Sequence, residues 1–415
     1  MSDASTAPVT RPRAGRLVGL LGLAQVVSWG SLYYGFSLFV LPMQAELGWS
    51  LTRLNGALTL GLLVAGACAY PVGALIDRHG GRAVMGTGSV LAVAALLAWS
   101  RVTTPLGFYL AWALIGMAMA ATLYEPVFIV LTRAFGGGAR RAITTLTLVA
   151  GFASTVFMPL IATLLIHLPW RDVLVVLALI VALVTWPVHW RVLPAGRFGH
   201  AAHAAPAAPG TLGTRLRDPV FWGLTLWFTA WSGTASGLMF QLVPYLESAD
   251  VAQPVLLLTV ALVGPSQVLG RLVLMLAGDR AATVAVGAFT TTLTPLAVLV
   301  FILAPPELPW LALAAIAFGI ANGISTILRG TAPAEWLGHD DIGRVMGAMG
   351  APMLLVAALA PLATAAVWSA SGSARAMQWL VFAIALVGAA GFWLAVGARR
   401  LQAVRAPSRG DGASR

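Results

Sequence analysis

Residues Gly73–Arg82 read G-A-L-I-D-R-H-G-G-R. Three charged side chains, Asp77, Arg78 and Arg82, crowd together between two long apolar runs. In hydrocarbon such charges are costly and irregular backbone goes unpaired, so the stretch reads as a short loop at a membrane surface, joining two spanning helices.

The composition around it agrees. Hydrophobic residues make up 59% of the chain and charged residues only 9%. A soluble domain needs about 25% charged residues to coat its surface, so this is an integral membrane protein. Every basic residue is arginine. Without lysine there is no G-x-x-x-x-G-K-[ST] loop, which excludes an ATP-driven pump in the chain itself. The net charge of +11 points to topology and anionic lipid, and nucleic acid is not an expected partner. The lone Cys68 sits in an apolar run and serves packing. No His, Cys or Asp cluster has metal-ligand spacing, and neither a metal nor a cofactor is expected.

Apolar runs of spanning length occur at 17–41, 54–76, 83–100, 106–131, 142–166 and 172–193, then at 219–245, 253–277, 281–304, 309–331, 344–368 and 376–397. This divides the chain into a tail (1–16), a six-helix half (17–193), a basic Ala/Pro/Gly-rich linker (194–218), a second half (219–397) and a tail (398–415). Twelve spans put both tails on one side. Twenty arginines fall on that side, and only Arg53, Arg101, Arg171 and Arg375 on the other, with Arg271 inside a span. The positive-inside rule then makes tails and linker cytoplasmic, in a bacterial-type inner (plasma) membrane.

The halves repeat. Asp77-Arg78 recurs as Asp279-Arg280 and Trp29 as Trp231, each at an offset of 202, while Gly116 and Gly319 differ by 203. An offset near half the chain that preserves orientation means parallel repeats about an axis along the membrane normal. Gly73, Leu75, Asp77, Arg78, Gly80 and Arg82 also match the G-x-L-x-D-R-x-G-R-R loop between helices 2 and 3 of the major facilitator superfamily, with Gly81 where a second basic residue is usual. The chain resembles that family in this loop and in its architecture. The fold class expected is therefore an all-α membrane protein of twelve transmembrane helices in two six-helix parallel repeats.

The resemblance implies a monomeric secondary transporter, with no enzymatic step, in which helices 1, 4, 7 and 10 line a central site. On helix 1, Gln25, Trp29 and Tyr33 form one stripe. Helix 7 brings Trp231, helix 8 Gln267 and Arg271, and helix 10 Asn322. These seven are the candidate substrate contacts, each with a packing alternative. A permanently charged arginine with five donors suits a carboxylate, and a basic residue on helix 8 is similar to the monocarboxylate and oxalate–formate branches. Arg329, nearer its helix end, reads as an arginine reaching for the membrane surface.

Glu125 on helix 4 is the candidate proton carrier, because an apolar surround favours a neutral carboxyl. The family likeness also suggests the alternative of a pair with Arg82. Gly73, Asp77, Arg78, Gly80 and Arg82 are candidates for a latch. In it Asp77 rests on the N-terminus of helix 11 near residues 342–347, where unpaired N–H groups favour negative charge. The cargo expected is a small monocarboxylate-like anion, with protons as the candidate coupling ion. Two alternatives stay open: efflux of hydrophobic or aromatic compounds, and a membrane sensor that transports nothing.

Overall fold

The computed structural model describes residues 11–193, 211–278, 281–339 and 341–405, all helical apart from short turns. The first half comprises α1 (Ala14–Leu47), α2 (Leu51–His79), α3 (Gly81–Ser100), α4 (Pro105–Thr122 and Tyr124–Phe135), α5 (Ala139–Ala150 and Ala153–His167) and α6 (Trp170–Val192). The second comprises α7 (Pro219–Ser248), α8 (Gln253–Ala277), α9 (Thr283–Leu303), α10 (Leu308–Leu337), α11 (Ile342–Ser371) and α12 (Ala374–Arg405). Ten segments are long and apolar enough to cross a membrane. One of them, Pro105–His167, is 63 residues long and turns back at Gly136–Gly138, and α7 is a further 30-residue helix. Twelve helices of spanning length result among the described residues, besides the five-residue helix Thr211–Arg215. The Asp279-Arg280 element of the repeat lies outside the described residues, as does most of the linker.

Helix ends overshoot the apolar runs by up to eight residues, because capping sets the boundary. Ser50 accepts a hydrogen bond from the Arg53 N–H to start α2, and Gly80, at φ +84°, stops it. Gly81, in the place of the usual basic residue, faces Val130, and a Cβ there would lie 2.4 Å from Val130 Cγ2.

The repeat is visible in packing. Gly116 brings α4 onto α2, where a Cβ would meet the Gly61 carbonyl oxygen at 2.2 Å. Its counterpart Gly319 brings α10 onto α8, where a Cβ would lie 2.6 Å from Ser266 Cβ. Small residues let helix backbones approach in this way where lipid gives no hydrophobic drive between them.

The apolar core is divided unevenly. On the side where α1 begins and α12 ends, here the terminal face, one cluster joins both halves; it includes Leu21, Ile76, Phe128, Ile143, Phe228, Ile327 and Met349. Toward the opposite face each half keeps its own cluster, around Trp99 and Trp112 in the first and around Leu242 and Phe301 in the second. The halves are therefore closed against each other on the terminal face.

Proline sets two of the contacts within the halves. Pro126 has no N–H to offer the Thr122 carbonyl four residues earlier. Gln25 supplies one instead, Nε2 to Thr122 O at 2.6 Å. In the second half Pro361 frees the Ala357 carbonyl, and the Ser236 hydroxyl on α7 donates to it at 2.6 Å. Gln25 thus departs from the expected cavity stripe. It is fully buried against α4 with Oε1 unpaired, and its amide satisfies a helix break.

Candidate functional site

Between the halves, just to the terminal side of mid-depth, lies a layer of charges and aromatic rings. From α4 comes Glu125, whose carboxylate meets Arg329 of α10 at 2.8 Å in an ion pair rather than an aligned hydrogen bond. Both are largely buried, at 15% and 14% exposure. The expected Arg82–Glu125 pair does not form. Arg82 instead donates from Nε to the Leu193 carbonyl at 2.7 Å, tying the loop to the end of α6. Arg329, expected at the membrane surface, turns inward, because α10 continues two turns beyond it to Leu337 and holds it at core depth.

Aromatic faces surround the Arg329 guanidinium: Phe128 at 5.4 Å, Trp231 at 5.9 Å and Tyr124 at 6.0 Å from the ring centroids. Such contacts stabilise a cation most where water is scarce. Phe228, Pro333, Met346, Met349, Gly350 and Met353 close the rest of this pocket, which their side chains nearly fill, leaving a cavity of about 20 Å³.

On α1 the backbone hydrogen bonds loosen to the i→i+5 pattern over Gly30–Tyr34, with the Gly35 N–H donating to Gly30 O at 3.0 Å. Such bulges re-aim side chains and are frequent at functional sites. Trp29 gathers Tyr33 (5.4 Å), Tyr34 (6.0 Å) and Tyr124 (4.9 Å) into one cluster. The indole N–H groups of Trp29 and Trp231 are both buried without a partner, as is Asn322 Oδ1. Trp227, one turn before Trp231, belongs to the core and stacks on Phe228 at 4.3 Å.

Arg271 on α8 is 5% exposed. It donates from Nη1 to the Thr147 carbonyl of α5 at 2.9 Å, touches Gln267 Oε1 at 3.4 Å, and leaves Nε unpaired. Gly151, where α5 breaks, makes room for it; a Cβ there would lie 3.0 Å from Nη1. Among the described residues Arg271 has no carboxylate partner.

At the terminal face Asp77 accepts the N–H groups of Gly343 (3.0 Å) and Arg344 (2.9 Å), the first turn of α11. Arg133 of α4 adds an ion pair at 2.5 Å. The sequence had not linked Arg133 to this group; its position in the last turn of α4, facing the loop, was the available signal. Gly73 and Gly347 bring α2 and α11 together at backbone distance. The sequence also passed over His189, which is fully buried on α6 and shares a 2.8 Å hydrogen bond with Ser89.

Two six-helix repeats, closed on one face around buried charges and unpaired polar groups, define a secondary carrier of small solutes, not an enzyme. The chain belongs to the Major Facilitator Superfamily, whose family model matches residues 21–302, more than half its length. No curated protein matches it significantly in sequence. Similar solved structures include the human organic anion transporter MFSD10 (TETRAN), with a TM-score of 0.70 at 16% identity, covering 92% of this chain and 99% of that one. The Escherichia coli fucose:proton symporter FucP gives 0.65 at 15% identity, covering 92% and 98%. A structure of FucP in the outward conformation gives 0.67 at 16% identity, with the same coverage.

Proposed function

We propose that the chain is a proton-linked carrier of small organic anions of the monocarboxylate kind. It would lie in a bacterial-type inner membrane with both ends cytoplasmic, working by alternating access. The observation that carries this reading is Arg271. A guanidinium that cannot discharge, buried without a carboxylate, is costly unless something anionic joins it. The layer around it holds Arg271 and Arg329 against the single carboxylate of Glu125, so an anionic cargo would balance it. Trp29 and Trp231 add unpaired donors and flat apolar faces, a setting for an organic rather than an inorganic anion. The fold has precedents for both parts of the reading, in an organic anion transporter and a proton symporter.

The test is flux into proteoliposomes of a panel of radiolabelled carboxylates, with and without an imposed pH gradient. At least one carboxylate should accumulate when the outside is acid, and Arg271→Ala should abolish it. Equal flux in the variant would overturn the reading. Efflux of aromatic compounds is the second reading, favoured by the cluster of Trp29, Tyr33, Tyr34 and Tyr124. Increased drug sensitivity of a deletion strain, with no carboxylate flux, would select it.

A further inference from the structure

The geometry points to Arg329 as the proton-controlled seat of the substrate carboxylate: Glu125 occupies it when ionised and releases it when protonated. The inference rests on the reading of the cargo as an organic anion and adds what couples that anion to a proton.

The argument starts from what surrounds the pair. The Arg329 guanidinium has one carboxylate, Glu125 at 2.8 Å, and otherwise the Met353 sulfur at 3.5 Å and three aromatic faces. Met346, Met349 and Met353 on α11 and Phe228 on α7 line the same pocket. Thioether and ring surfaces accept an apolar body of varied shape, and the guanidinium fork accepts a carboxylate head. The pocket therefore has both surfaces that an amphipathic monocarboxylate needs, with Glu125 on the polar part and the lining side chains filling the apolar part in this closed state. Glu125 supplies the guanidinium's carboxylate contact, through Nη1.

The charges around Glu125 decide who can compete. From α10 it faces Arg329, beside it on α4 is Tyr124, and Arg271 of α8 is engaged with Thr147 and Gln267. Arg133, farther along α4, is already paired with Asp77 of α2. On α11, Gly350 lies against the Glu125 side chain, and Arg344 sits at the far terminal end beside Asp341. On α5, Arg140 is drawn to the Ala281 carbonyl and Arg141 lies at the helix start. Arg329 is thus the cation that Glu125 neutralises directly. When Glu125 takes up a proton, Arg329 is left without a counter-charge in an apolar pocket, and an incoming carboxylate restores it. One proton and one monocarboxylate enter together, and the charge of the site is the same before and after.

The test uses the full chain in lipid nanodiscs, with butyrate, benzoate and octanoate as probes and benzamide as the uncharged control, read by calorimetry. Carboxylate affinity should rise as pH falls from 8 to 6, the sign of a proton taken up with the anion. Benzamide should show no such trend. Glu125→Gln mimics the protonated form and should bind the probes tightly and without pH dependence. Arg329→Gln alone strands Glu125, so the informative variant is E125Q/R329Q, which removes both charges; its melting temperature and elution volume report folding. It should bind carboxylates at least tenfold more weakly than E125Q, with any benzamide binding unchanged.

A pH trend that survives in E125Q, or carboxylate binding in folded E125Q/R329Q equal to that of E125Q, overturns this assignment. If that happens while Arg271→Ala still abolishes binding, the anion reading stands and only the seat is wrong. If no probe binds the wild-type chain and neutral or cationic solutes do, the anion reading fails and this inference with it.

Discussion

Gly73 and Gly343 meet backbone to backbone. A Cβ built on Gly73 would lie 2.0 Å from the Gly343 carbonyl oxygen, and one on Gly343 would lie 2.3 Å from Asp77 Oδ1. The two glycines let α2 and α11 approach until the Asp77 carboxylate reaches the free N–H groups of α11. Charge, helix terminus and bare backbone form one device across the halves.

Gly73→Ala should therefore act like a lesion in Asp77. The methyl group has only backbone to collide with, so the helices must separate. A cysteine introduced on the terminal face at the α2–α11 seam should become labelled by maleimide several-fold faster than in the wild type. An unchanged labelling rate would mean the seam does not close that face.

Asp77→Asn keeps the shape but loses the charge that meets two N–H groups and Arg133. Transport should fall at least about tenfold, since charge-assisted bonds of this kind are worth about 1.5–3 kcal/mol. Substrate affinity measured from the opposite face should move less than about twofold. A large affinity loss would argue for a direct role in binding.

Gln25→Leu should lower stability by about 1–2 kcal/mol, the cost of leaving the Thr122 carbonyl without a donor in the membrane interior. Thermal unfolding in detergent reads this. Substrate affinity should stay near that of the wild type, because the Gln25 amide nitrogen is engaged with α4.

On the opposite face Glu46 receives Trp170 Nε1 at 2.5 Å and Arg171 Nε at 2.9 Å, with its side chain 45% exposed. Glu46→Gln should cost no more than about 1 kcal/mol, as for exposed ion pairs generally. Flux should be unaffected, which makes it a control for Asp77→Asn.

Apolar run length made the spans legible, since it follows directly from bilayer thickness, and the constant offset of matching residues, such as Trp29 and Trp231, made the repeat legible. The N-terminus of α11 as the seat of Asp77 came from the family likeness of the loop. Arg329 reads as a surface arginine only if α10 ends with its apolar run at residue 331, and the helix runs on to Leu337. Its partner could not be read from spacing, because Glu125 and Arg329 belong to different halves. Gln25 carried a missed signal: Pro126 announces an orphan carbonyl at Thr122, and a buried amide nearby is its natural donor. The break in α5 left no mark, because the apolar pattern continues across it.

The breaks in α4 and α5 have a mechanical consequence. At Leu123 and at Gly151–Phe152 the first half changes from its own core to the core shared with its partner. The corresponding helices of the second half, α10 and α11, run unbroken for 30 residues each. The two repeats are alike in sequence period and unlike in where they can bend. Opening the terminal face then draws on the breaks at Leu123 and Gly151–Phe152 in the first half and on the internal prolines Pro333, Pro352 and Pro361 in the second.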